Sequence, residues 1–181
     1  MITIPSRPAR QRGVSLIEAA TVLAVIAVVA GTAAPSLQSM IDARRLDAAA
    51  TQLATDIRFA RIEAVARNEA LRLSVRPVAG GTCYVVHTGA ADACSCAATG
   101  PALCSRDAQV LRTVVLQGSD RVTLQANVGS MLFDPVHGTS TPTGTLRLIG
   151  TRDRAVHHIV NVMGRVRSCS PAGAVPGYRA C

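Results

Sequence analysis

The pattern of apolar and polar positions changes twice along this chain. Residues 14–34, VSLIEAATVLAVIAVVAGTAA, are apolar or small apart from Glu18. Such a run is long enough to cross the hydrocarbon core of a bilayer as a helix. Residues 36–70 then mix polar and apolar positions, contain no Gly or Pro, and are rich in Ala, Leu, Arg and Glu, all good helix formers. Leu46, Ala50, Leu53, Ile57, Ala60 and Ala64 recur at alternating spacings of four and three, which places them on one helical stripe facing a sheet or partner helices. Asp47, Asp56, Arg58, Arg61, Glu63 and Arg67 are expected on the opposite, solvated face, with Glu63 and Arg67 ordered for an i,i+4 pair. Pro35 is expected to kink the helix rather than end it. The prediction is one helix from about Val14 to Asn68, about 80 Å long at 1.5 Å per residue.

From Leu71 the period becomes two. LRLSV, YVV, VLRTVVL, RVTLQA, TLRLI and AVHHIVNV alternate, separated by turn signals such as Pro77 to Gly81, Gly118 to Asp120 and Gly150 to Asp153. No ten-residue helical pattern interrupts them. The expected fold class is α+β: a long N-terminal helix whose amphipathic half packs on a meander of antiparallel hairpins, burying both apolar faces.

Charge orients the apolar run. Arg7, Arg10 and Arg12 precede it with no acidic residue among them, which places the amino terminus in the cytoplasm and the rest of the chain outside it. Glu18 is the exception within the run, since a carboxylate in a membrane helix costs about 2.5–3.5 kcal/mol on insertion scales and usually faces a partner, a cavity or the headgroups. An ordinary secretory signal cut near Ser36 is the competing reading; the length of the run and its carboxylate argue against it. All 19 basic residues are arginine, against 11 acidic ones, for a formal charge of +8. Without the three before Gly13 the balance is 16 to 11, or +5, which permits polyanion binding without demanding it.

The six cysteines, Cys83, Cys94, Cys96, Cys104, Cys169 and Cys181, are even in number in an exported segment, so disulfides are expected. They lack paired CxxC knuckles and no His lies at ligand spacing, so no metal is expected. Cys94 and Cys96 are too close to bond each other and should each pair with Cys83 or Cys104. A bridge from Cys169 to Cys181 would fix the Pro- and Gly-containing tail with about 3 kcal/mol of loop-entropy stabilisation. A core with two Phe, two Tyr and no Trp gains from such staples. Among His87, His137, His157 and His158, the adjacent pair points to opposite faces of a strand. No nucleophile elbow, HExxH, phosphate loop or cofactor motif is present, so neither an enzyme nor a cofactor is expected.

The segment of Gly13 followed by VSLIEAATVLAVIAVVAG, with Glu18 five residues after the glycine and Pro35 ending the run, resembles the class III leader of type IV pilins and pseudopilins. The resemblance implies that a prepilin peptidase cuts after Gly13 and methylates Val14, and that Glu18 neutralises the terminal amine of a neighbouring subunit during assembly. Val14 stands where the family usually has Phe or Met. Leu53 to Val75, Met131 to Gly150 and VNVMGRVRSC (Val160 to Cys169) resemble the FimT/GspH subfamily of minor pilins and pseudopilins. The implied organisation is a leader (1–13), a transmembrane and assembly helix (14–35), an amphipathic half-helix (36–68) and an antiparallel β domain (69–181). That domain holds a disulfide-rich loop (83–104) and a C-terminal loop (169–181). The implied setting is a bacterial inner membrane crossed once, with a periplasmic domain that later joins a periplasmic or surface filament of other pilins.

The subfamily has two roles: pseudopilus assembly in type II secretion, and capture of double-stranded DNA for natural transformation through a GRxR segment. By position the latter implies Gly164, Arg165 and Arg167. In a strand Arg165 and Arg167 share a face and can meet successive phosphates, while Gly164 permits close backbone approach. Arg152, Arg154 and Arg179 would extend a basic patch if the fold brings them there.

Overall fold

The computed structural model describes residue 13 and residues 15–97, 101–105 and 107–181. The calls on Val14 and on Arg7, Arg10 and Arg12 lie outside them. The chain divides into two compact units, Met1–Ser39 and Met40–Cys181. Helix α1 (Leu16–Arg67) contributes to both and passes through Pro35 without ending. In the first unit its side chains from Leu16 to Gln38 are exposed, and an 18-residue window has a mean hydropathy of 2.2. An apolar helix with no protein covering it fits a lipid environment. Ser15 receives the Glu18 backbone N–H on its hydroxyl at 3.3 Å, and Glu18 lies in the first turn, where the helix dipole favours a carboxylate.

In the second unit α1 buries the whole stripe of Leu46, Ala50, Leu53, Ile57, Ala60 and Ala64. Half of these are alanines, so the sheets approach the helix closely. The helix ends in a left-handed Asn68, φ 52°, with Glu69 N–H returning to the Ala64 carbonyl at 3.1 Å, a common way to satisfy last-turn carbonyls.

Eleven strands follow in the described residues: β1 (Leu71–Val78), β2 (Gly81–Thr88), β3 (Cys94–Ser95), β4 (Leu103–Cys104), β5 (Val110–Gln117), β6 (Thr123–Ala126), β7 (Ser130–Phe133), β8 (Ser140–Thr141), β9 (Gly144–Ile149), β10 (Ala155–Val160) and β11 (Val166–Cys169). They form a five-stranded sheet in the order β5-β2-β1-β7-β8, a four-stranded sheet in the order β11-β10-β9-β6, and the small hairpin β3-β4. All pairings are antiparallel.

This corrects the expected meander. The consecutive strands β6 and β7 enter different sheets, β7 pairing with β1 and β6 with β9. One apolar cluster joins the helix stripe to Leu71, Leu73, Tyr84 and Val86 of the first sheet and to Leu124, Leu146, Leu148, Val156 and Val160 of the second. The helix therefore covers both sheets, which a single meander would not need.

Asp56 is a second correction. It belongs not to a solvated face but to the interior, fully buried. Its carboxylate accepts the Tyr84 hydroxyl at 2.8 Å, Arg112 Nη1 at 2.9 Å and Gln52 Nε2 at 3.0 Å. Those donors replace the water it loses. Glu63 and Arg67 do pair, at 2.6 Å.

The disulfides are Cys83–Cys96, Cys94–Cys104 and Cys169–Cys181. The first two pin the β2–β5 loop through a small buried cluster of Cys83, Val85 and Cys94. The third closes the tail, which is further tied to α1 by the Tyr178 hydroxyl donating to Asp47 at 3.0 Å.

Candidate nucleic-acid interface

The arginine segment is built by a tight turn and an edge strand. After β10, Asn161 closes the turn: its side-chain oxygen accepts Arg165 N–H at 2.9 Å, and its carbonyl accepts Gly164 N–H at 2.8 Å. Chain reversal then starts β11, the outermost strand of the four-stranded sheet. Arg165 and Arg167 are both exposed, with Val166 between them partly covered, as the two-residue period requires. They border one shallow groove with Ile159 and Asn161. Arg167 borders a second with Arg179 of the disulfide-closed tail. Arg165 borders a third with Arg58 and Arg61 of α1.

The result is a row of guanidinium groups running from the helix across the edge strand to the tail. The ion pairs among the described residues are Glu63–Arg67, Asp56–Arg112, Asp42–Arg121 and Asp134–His137. None involves Arg58, Arg61, Arg165, Arg167 or Arg179. Arg58, Arg165, Arg167 and Arg179, exposed and without an ion-pair partner, are chemically suited to phosphate oxygens.

Gly164 has a packing role of its own. It is buried with φ +68°, and a Cβ there would lie 2.5 Å from the Gly138 carbonyl oxygen and 2.7 Å from Arg61 Cδ. The backbone that approaches it is the protein's own. Arg61 Nε donates to that same Gly138 carbonyl at 3.0 Å, so Gly164 locks the β10–β11 turn against α1 and sets where Arg165 begins. Arg61 is accordingly half-buried rather than fully solvated.

Arg152 and Arg154 lie in the β9–β10 turn. Arg152 and Asp153 are left-handed there, at φ 57° and 56°, and Thr151 Oγ1 donates to Asp42 of α1 at 3.2 Å. The grooves at Arg165, Arg167 and Arg179 do not include them. Conversely, the sequence pattern did not single out Arg58 or Arg61 for this surface. Their spacing of three fits a solvated helix face, and nothing local shows that the β10–β11 turn will lie beside it.

The histidines divide by burial. His158 is buried with Nδ1 2.8 Å from Ser168 Oγ, and burial, reinforced by Arg58 and His157, pushes its pKa down to about 4. His87 is also buried, 2.8 Å from Ser74 Oγ at one ring nitrogen and 2.8 Å from the Thr88 carbonyl at the other. Its pKa is lowered, chiefly by burial. Both are neutral core groups. No cluster of three or more His, Cys, Asp or Glu able to hold a metal occurs among the described residues.

A long apolar-to-amphipathic helix laid on antiparallel sheets, with a disulfide-closed C-terminal tail, defines a pilin-like subunit. The family model described as Type II transport protein GspH matches residues 49–164, and the prokaryotic N-terminal methylation motif matches residues 8–34. The chain belongs to the GspH family of pilin-like proteins, as a minor pilin or pseudopilin. Two crystal structures of the type IV minor pilin FimU of Pseudomonas aeruginosa (strain PAO1), in space groups P21 and P65, are similar in fold. They share 18% and 19% identity with this chain, cover 75% and 74% of it and 95% and 98% of their own chains, and have TM-scores of 0.52 and 0.50. No curated protein matches the chain. The family consists of structural subunits that assemble with other pilins, and the apolar N-terminal helix suits anchoring in the inner membrane.

Proposed function

We propose that the chain is a minor filament subunit that captures double-stranded DNA through Arg165 and Arg167. It is made as a precursor with residues 1–13 as leader, cleaved by the prepilin peptidase after Gly13 and methylated on Val14. Residues 14–35 hold it in the inner membrane with its β domain, 69–181, in the periplasm. Glu18 then compensates the terminal amine of a neighbouring pilin as the helices pack. A lone carboxylate in an otherwise apolar run supports that role, because it needs a cationic partner in an apolar bundle.

The observation that carries the DNA reading is the row of unpaired arginines at the end of the β10–β11 turn and on the edge strand β11, continued by Arg58 and Arg179. Phosphate contacts of this kind position a duplex without reading its sequence. Each neutralised phosphate adds about 0.9 to the slope of log K against log salt. The Arg165→Ala, Arg167→Ala double variant is therefore expected to flatten the slope by about 1.8 for a DNA duplex titrated by fluorescence anisotropy. An unchanged slope rejects this site. The mature protein is expected to begin at N-methylated Val14, and a start near Ser36 rejects the leader assignment.

A second reading keeps the subunit in a secretion pseudopilus with no DNA contact, and the GspH description of its family favours it. Charged side chains on an edge strand then serve to prevent edge-to-edge pairing. Full DNA affinity retained in the double variant, or none in the parent, distinguishes this reading from the first.

A further inference from the structure

Nine large apolar side chains of the Met40–Cys181 unit are exposed among the described residues, and they are not scattered. Met40, Ile41, Leu103 and Val110 lie apart. Ile62, Val65, Val136, Val162 and Met163 gather where α1, the 134–138 turn and the β10–β11 turn meet. The Val162 carbonyl accepts Ser140 N–H at 2.8 Å, Met163 precedes the Gly164 locked on Arg61, and Val136 precedes His137 in the turn that ends at Gly138. Ile62 is 63% exposed and Val136 67%. Two grooves that share Arg61 and Ile62 join Ile62, Val65 and Val136 into one trough along α1 from Arg58 to Ala66, with Val162 and Met163 in the turn beside it.

The floor of the trough is aliphatic and its rim is cationic. Arg58, Arg61 and Arg165 line it, and none is paired with a carboxylate among the described residues. The nearby carboxylates already have partners, Glu63 with Arg67 and Asp134 with His137 and two turn N–H groups. A concentrated apolar patch with a polar rim marks an interaction surface, and the rim charge defines what can dock.

We propose that this trough receives a segment of a different protein subunit whose aliphatic side chains rest on Ile62 and Val136 while flanking Asp or Glu residues meet Arg58 and Arg165. A second copy of this chain docking through the same face would set arginines against arginines, a like-charge contact that disfavours association. A DNA duplex offers no apolar surface to an aliphatic floor, and the trough contains no Phe, Tyr or Trp on which unpaired bases would stack. A lipid surface is flat, whereas the trough is concave between the helix and two turns. The surface adjoins the proposed phosphate contacts and shares Arg58 and Arg165 with them, but its occupancy does not depend on DNA.

The test places a photoreactive side chain at Ile62 in the full chain expressed in its native cell, with the same group at exposed Thr123 on β6 as control. The expected result is a covalent adduct at Ile62 with another protein, mapped by mass spectrometry to a segment carrying aliphatic residues flanked by Asp or Glu. Arg58→Glu should lower the yield about fivefold, the effect of one surface charge pair, and Val136→Asp, in a chain that keeps Arg58, should lower it as well without changing the salt slope for DNA. A homodimer adduct, an adduct to lipid or DNA, a mapped segment without acidic residues, or a yield no greater than at Thr123 overturns the proposal. If Arg58→Glu and Val136→Asp both leave the yield unchanged, the proposal is likewise overturned. Melting temperatures of the two variants are measured alongside, so that loss of folding is not read as loss of docking.

Discussion

The fully buried carboxylate of Asp56 accepts the Tyr84 hydroxyl at 2.8 Å while Arg112, stacked 4.3 Å above the Phe59 ring, holds its other oxygen. Helix α1 and strand β2 are thus joined by a polar contact inside the apolar core. Removing the acceptor leaves a buried hydroxyl and a guanidinium without their partner. Asp56→Ala is expected to cost about 3 kcal/mol, against about 1 kcal/mol for Tyr84→Phe, which leaves Asp56 with Arg112 and Gln52. Urea unfolding followed by circular dichroism measures both, and equal costs would contradict this account.

The same contact sets an alkaline limit. Burial first, and then Asp56, raise the Tyr84 pKa well above its ordinary value of 10.0. The unfolded chain releases that proton near pH 10 while the folded chain keeps it. The contribution is therefore fully present below pH 10 and is lost as pH rises beyond it. Tyr84→Phe should be less sensitive than the parent to raising the pH from 9 to 11, with the unfolding midpoint as the readout.

Acid acts through His158. Unfolded, it titrates near 6.5; folded, it stays neutral to about pH 4. As pH falls the unfolded state takes the proton first, so stability present above pH 6.5 is lost between 6.5 and 4, by about 3 kcal/mol. His87, lowered in the same direction, adds to the slope. Replacing His158 by Gln should flatten the fall in unfolding free energy between pH 7 and pH 5, and an unaltered fall would assign it to other groups.

Gly164 tests the turn separately from any ligand. Alanine there meets the Gly138 carbonyl and Arg61 and must hold a left-handed backbone, so Gly164→Ala is expected to destabilise the domain by about 2 kcal/mol. Its melting temperature should fall even without DNA. A variant that melts normally but loses DNA would return Gly164 to the ligand surface.

The tail depends on its disulfide. Cys169–Cys181 holds the segment in which Ser170 N–H donates to the Arg179 carbonyl at 2.8 Å. Cys181→Ser is expected to cost about 3 kcal/mol at most and to release Arg179 from its place beside Arg167. The DNA salt slope should then fall by about 0.9, and Arg179→Ala alone should give the same slope.

Local periodicity alone determined much of this protein. The apolar run with Glu18, the buried helix stripe from Leu46 to Ala64, the change to period two at Leu71 and the exposed alternation of Arg165 and Arg167 were all legible. Each is fixed by neighbours three, four or two residues away. The even cysteine count made disulfides an expectation, but which of Cys83 and Cys104 would meet Cys96 stayed open. That choice follows from where β2 and the β3–β4 hairpin sit in three dimensions. Partners distant in sequence decided the rest. Asp56 became interior because Tyr84 and Arg112 arrived to bond it. β6 and β7 parted because β1 already offered β7 an edge. Gly164 became a packing residue because Gly138 lay behind it. Arg58 and Arg61 joined Arg165, and Ile62 joined Val136, only because the β10–β11 and 134–138 turns fold back on the helix. Such contacts leave no period in the chain, since they are selected by shape and charge across tens of residues rather than by the local geometry of helix or strand.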